Sequence, residues 1–146
     1  MEMLRIIGPN RRLISLHNGA RIGDVLEKTR NITDDVAISI LEIKGIVGIA
    51  TAGGILGGKT LDHLVEAVRH FVKLDPTDGE LVTLGHDLNG LGAESMVEGA
   101  TTILDSHRVA GALFDAGFTR EMVENIFWKN AYNFWHSALG DSRKTA

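Results

Sequence analysis

The sequence predicts an α/β fold of about three parallel strands with flanking helices and a helical C-terminus. Three observations carry that expectation. Short apolar and β-branched runs (LISLH, GIVGIA, LVTLGHD) alternate with stretches whose apolar residues fall at helical spacing, the alternation that parallel sheets require. Many of the seventeen glycines sit beside those runs, as in GIVGIATAGGILGG, where they mark tight turns at strand ends. Beyond Gly92 the pattern is helical to the end. Right-handed crossovers of this kind build both doubly wound sheets and eight-stranded barrels. A closed barrel typically takes about 250 residues, so a chain of 146 supplies only part of one.

The first strand is expected over Leu13 to His17, with Leu13, Ser15 and His17 on one side and Ile14 and Leu16 on the other. Thr33 caps a helix from about Asp34 to Ile43, with Val36, Ala37, Ile40 and Leu41 at helical spacing and Gly45 as its stop. The second strand follows within a residue or two, over Ile46 to Ala50. Thr60 opens a longer helix whose stripe is Leu61, Leu64, Val65, Val68, Phe71 and Val72, and Asp75-Pro76 closes it because proline disfavours helix in the residue before it. After the turn at Asp78-Gly79 the third strand spans Leu81 to Asp87. Val109, Ala112 and Leu113 share a helix stopped by Gly117. Thr119 caps another that buries Met122, Val123, Ile126 and Phe127, and Tyr132, Phe134 and Trp135 extend its apolar surface. No repeat, low-complexity tract or linker divides the chain, so residues 1–146 are read as one domain.

Composition excludes several function classes. Hydrophobic residues at 44% and charged residues at 23% are ordinary for a water-soluble chain. The formal charge is −4 with Lys and Arg scattered, so the basic stripe of a nucleic-acid binder is missing. No segment approaches the roughly 20 apolar residues that span a bilayer, and the N-terminus carries no signal-peptide run, which together predict a cytoplasmic protein. With no cysteine, any metal is held by the six His and the carboxylates. GGILGG followed by Lys59-Thr60 has the wrong glycine spacing for a phosphate loop, and no nucleophile elbow is present.

Read in order, LISLHNGAR, KTRNITDDVAISILEIKGIVGIATAGG, LDHLVEAVRHFV, LVTLGHDLNGLG and AGFTREMVENIFWKNAYNF resemble the last part of the membrane (renal) dipeptidase family. That family shows SHS at a strand end, then RN, a VVGVN-type strand, a DHI-type helix, a GSDFDG strand end and a closing GYS…I…GGN helix. The resemblance covers nearly the whole chain. It implies a zinc metallopeptidase built on a TIM-type barrel, of which these would be the last three strands, and a dipeptide substrate.

On this resemblance His17 matches the metal-binding His of SHS, with Leu16 and Asn18 in place of the serines. It stands at the C-terminal end of a predicted strand, where a barrel places its functional residues. Asp87 matches the Asp of GSDFDG, which handles protons, as a carboxylate beside activated water is suited to do. Around it His86 replaces the family's Ser and Asn89 its second Asp. Arg30 matches the Arg of RN, whose bidentate guanidinium meets the carboxylate of the dipeptide. His63 and His70, seven residues apart on the long helix, have no carboxylate at metal spacing and are expected in solvent, and His107 and His136 stand in no motif.

The family's dizinc centre also needs an HxD pair, a bridging Glu and a second His from earlier strands. Zinc catalysis takes about three protein ligands and an open position, and His17 is the one ligand matched here. The expectation is therefore a dipeptidase-like chain, incomplete and inactive alone, completed by a second chain or by self-association of its exposed edges. The alternative is a non-catalytic assembly or binding protein that keeps the half-barrel.

Overall fold

The computed structural model describes residues 12–21, 31–88 and 90–140. Three strands, β1 (Ile14–Asn18), β2 (Ile46–Ile49) and β3 (Val82–Leu84), form a parallel sheet in the order β1-β2-β3. The helices are α1 (Asp34–Glu42), α2 (Gly53–Leu56), α3 (Leu61–Leu74), α4 (Ser106–Asp115), α5 (Arg120–Glu124) and α6 (Asn130–Gly140), with a wider π-type turn over Asn125–Lys129 joining the last two. The architecture is α/β with flanking helices, as the alternating pattern predicts.

Local chemistry sets the boundaries. Thr33 Oγ1 accepts from the Val36 amide at 3.4 Å and starts α1. That helix ends differently from expectation: Lys44 takes the left-handed conformation (φ 56°), not Gly45. Gly45 is required for space, since a Cβ there would lie 2.4 Å from the carbonyl oxygen of Leu13. Asp75 closes α3 and ties it to the sheet, because its buried carboxylate accepts from the amides of Thr77 at 2.9 Å and Leu81 at 2.8 Å. Thr119 Oγ1 accepts from the Met122 amide at 3.2 Å and starts α5.

Val47 and Ile49 turn one face of β2 into a core shared with Ala37, Ile40 and Leu41 of α1 and Leu64, Val68 and Phe71 of α3. The stripe read from the sequence thus becomes the contact between helices and sheet. Val82, Val109, Leu113, Val123 and Ile126 belong to the same cluster. On the opposite face of β2, Gly48 leaves room that a side chain would fill: a Cβ there would stand 2.6 Å from Leu16 Cδ2 and 3.3 Å from the Cα of Gly85. Leu16 lies over this glycine with 45% of its surface exposed.

Two boundaries are corrected. The third strand is shorter than the expected run from Leu81 to Asp87, so Asp87 stands in the loop beyond the strand. The period of two also fails near the end of β1. Ser15 pairs with Val47 and Asn18 with Ile49, so Leu16 and His17 together oppose Gly48 in a bulge, and His17 adopts φ 61°.

Candidate functional site

The C-terminal ends of the three parallel strands converge on one small region. The Ala50 amide donates to the Asn18 carbonyl at 2.9 Å and the Gly85 amide to that of Ile49 at 2.8 Å, which keeps the strand ends in step. A parallel sheet places residues from distant parts of the chain at this end, where binding groups gather in α/β folds.

His17 and Asp87 meet here. His17 Nδ1 is 3.9 Å from Asp87 Oδ2, with 40% and 21% of the two side chains exposed. That distance allows ionic contact with a protonated imidazole and is too long for a hydrogen bond. The bulge presents the imidazole: with φ positive at His17, the ring leaves the pleat and extends towards the loop after β3. A non-glycine residue held in this conformation is strained, and such strain clusters at functional sites. Arg30 and Asn89 lie outside the described residues.

Sequence reasoning missed several neighbours. His86 Nδ1 is 3.5 Å from Oγ1 of Thr51, which is wholly buried just past β2. Burial holds the His86 imidazole below the usual histidine range, favouring its neutral form. Asn31, beside Arg30 in sequence, is 2% exposed and donates from Nδ2 to the carbonyls of Ile55 at 2.8 Å and Ala20 at 3.2 Å. It thereby joins the segments that follow β1 and β2. The RN pair was the available signal for Asn31, but the partners of its amide lie too far along the chain to be inferred.

The other histidines go elsewhere. His63 Nδ1 is 2.6 Å from Thr60 Oγ1 at the start of α3. His70 meets a carboxylate from another helix, with Nε2 2.8 Å from Asp34 Oδ1 of α1. His107 Nδ1 is 2.9 Å from the Leu104 carbonyl, and His136 stacks on Tyr132.

The parallel strands, the series of motifs along them and the convergence of His17 with Asp87 agree with a match to the family model described as Membrane dipeptidase (Peptidase family M19), over residues 14–145. The chain belongs to the membrane dipeptidase family. Solved structures give the same fold. A dipeptidase of this metallopeptidase family superposes with a TM-score of 0.73 at 20% identity, covering 85% of this chain and 37% of its own. A Rhodobacter sphaeroides metallopeptidase, liganded with a phosphinate mimic of the dipeptide L-Ala-D-Ala, gives 0.73 at 21% identity, covering 85% and 35%. An amidohydrolase of Pseudomonas aeruginosa gives 0.75 at 18% identity, covering 87% and 46%. No curated protein matches significantly by sequence. The chain spans less than half the length of these solved relatives, consistent with a partial barrel.

A family of metallopeptidases implies a metal. Among the described residues no group of three or more His, Cys, Asp or Glu is placed to hold one. His17 and Asp87 offer one nitrogen and one carboxylate, and His86 is turned towards Thr51. This donor set does not fit a catalytic zinc centre, which takes about three protein ligands. Among the described residues no helix is long and apolar enough to cross a membrane.

Proposed function

We propose that this chain is a dipeptidase-like module of the membrane dipeptidase family: a single domain over residues 1–146, equivalent to the C-terminal part of a TIM-type barrel, that contributes part of a metal-dependent dipeptide-hydrolysing site. The observation that carries this reading is the approach of His17 Nδ1 to Asp87 Oδ2, 3.9 Å apart at the C-terminal end of parallel strands. In this reading His17 is a zinc ligand, Asp87 accepts and returns the proton as the peptide bond breaks, and Arg30 pairs with the carboxylate of the dipeptide. Zinc, when bound by the complete site, supplies the activated water.

In this reading the chain is inactive alone, because among the described residues no group of three or more candidate metal ligands is brought together. The further ligands belong to the earlier strands of the family's barrel, and a chain that carries those strands would supply them and cover β1. Among the described residues β1 pairs with β2 alone, and its Leu16 is exposed. Such an edge and face favour association, either with that partner or between copies.

The test is dipeptide hydrolysis with zinc, by the purified chain and by its mixture with a chain carrying an HxD strand, a Glu and a second His. The expected result is no rate above the metal-only control for the chain alone, and a rate in the mixture that His17→Ala removes. Hydrolysis by the homogeneous chain, abolished by His17→Ala, would overturn the incomplete-site reading in favour of a site assembled from copies. A mixture that binds but stays inactive would support the non-catalytic assembly reading.

A further inference from the structure

The strained conformation of His17 has an identifiable holder. Asn18 is buried, and its side-chain amide makes three hydrogen bonds. Nδ2 donates to the carbonyls of Ser15 at 2.7 Å and Gly48 at 3.1 Å, while Oδ1 accepts from Ser15 Oγ at 3.0 Å. The two bonds to Ser15 close a clasp across the bulge, leaving Leu16 and His17 at its tip. The bond to Gly48 fastens that clasp to β2.

We propose that Asn18 is the positioning residue of this site: its amide holds His17 in the left-handed conformation and so aims the imidazole at Asp87 before any metal or substrate arrives. A residue with φ positive persists where its surroundings over-determine it, and three bonds from one buried amide do so. Bare backbone nearby makes room for the arrangement, since a Cβ on Gly85 would stand 3.1 Å from the His17 amide nitrogen. Asparagine suits the task because its amide both donates and accepts. An aspartate of the same shape would set a carboxylate against the carbonyl oxygens of Ser15 and Gly48.

The catalytic meaning of this role rests on reading His17 as a metal ligand; the positioning does not, and nuclear magnetic resonance of the full chain without metal or substrate tests it. In the wild-type chain the Asn18 side-chain amide protons should exchange slowly with water, and Asp87→Asn should move the His17 ring resonances. In Asn18→Ala that response should be lost while the backbone spectrum stays dispersed. In Ser15→Ala, which removes one of the three bonds, it should persist. Free exchange of the Asn18 amide in the wild type would overturn the proposal. So would an Asn18→Ala chain, or Asn18→Ser if the former does not fold, whose His17 ring responds to Asp87→Asn as the wild type does. If neither variant folds, the wild-type exchange measurement decides. Because no hydrolysis is read, this outcome is independent of the dipeptidase reading.

Discussion

Asn130 donates through Nδ2 to the carbonyl oxygen of Val82 at 2.7 Å, and to that of Gly79 at the same distance, fastening α6 to the edge strand β3. Thr83 adds a second tie, its Oγ1 donating to the Ile126 carbonyl at 2.9 Å. Removing a buried donor that serves two carbonyls costs about 1–3 kcal/mol. Asn130→Ala should lower the unfolding free energy by about that amount in urea titrations. Asn130→Asp, which turns a carboxylate towards both oxygens, should cost more.

The left-handed backbone of His17 makes a prediction that reverses the usual ranking of substitutions. An L residue in that conformation costs roughly 1–2 kcal/mol, from which glycine is exempt. His17→Gly should therefore be about 1 kcal/mol more stable than His17→Ala, read as the difference in urea midpoints. Equal stability of the two variants would remove the argument for stored strain.

Phe71 is 1% exposed among the side chains that join α3 to the sheet, whereas Leu104 is 80% exposed. Phe71→Ala should destabilise the chain by about 3–5 kcal/mol through lost burial and the cavity left behind. Leu104→Ala should stay within about 0.5 kcal/mol of the wild type. Thermal unfolding of the two variants compares them directly.

Stability should fall on acidification in two separable ranges. Burial lowers the folded-state value of His86, so below its ordinary 6.5 the unfolded chain binds the extra proton first and the folded state loses ground. His86→Gln should flatten the pH dependence of the urea midpoint just below that value. Asp105 behaves as a depressed carboxylate, held down first by the Thr102 amide and further by the Thr101 and Thr102 hydroxyls and the Thr101 amide. Its contribution is complete above its ordinary value of 3.8 and is lost as the pH falls through the lower folded value. Asp105→Asn should remove that second, more acidic component.

The sequence by itself determined the alternation of strands and helices, the caps at Thr33 and Thr119 and the apolar stripe from Leu61 to Val72. These are set by interactions within a few residues, and by a period that must match the element it buries. It also placed His17 and Asp87 at or just beyond strand ends through an ordered series of motifs, which is how the family was legible without any one strong motif. Tertiary structure alone decided the rest. The bulge at Leu16 and His17 depends on the register against β2, the bonds of Asn18 reach Gly48, and the partner of His70 is Asp34 on another helix. A pattern of period two carries no information about where a ladder slips, because the slip is chosen by the neighbouring strand. The histidine with a readable motif and the asparagine that follows it are adjacent in sequence, yet only the fold shows that the asparagine's amide bonds back across the bulge to Ser15 and over to Gly48.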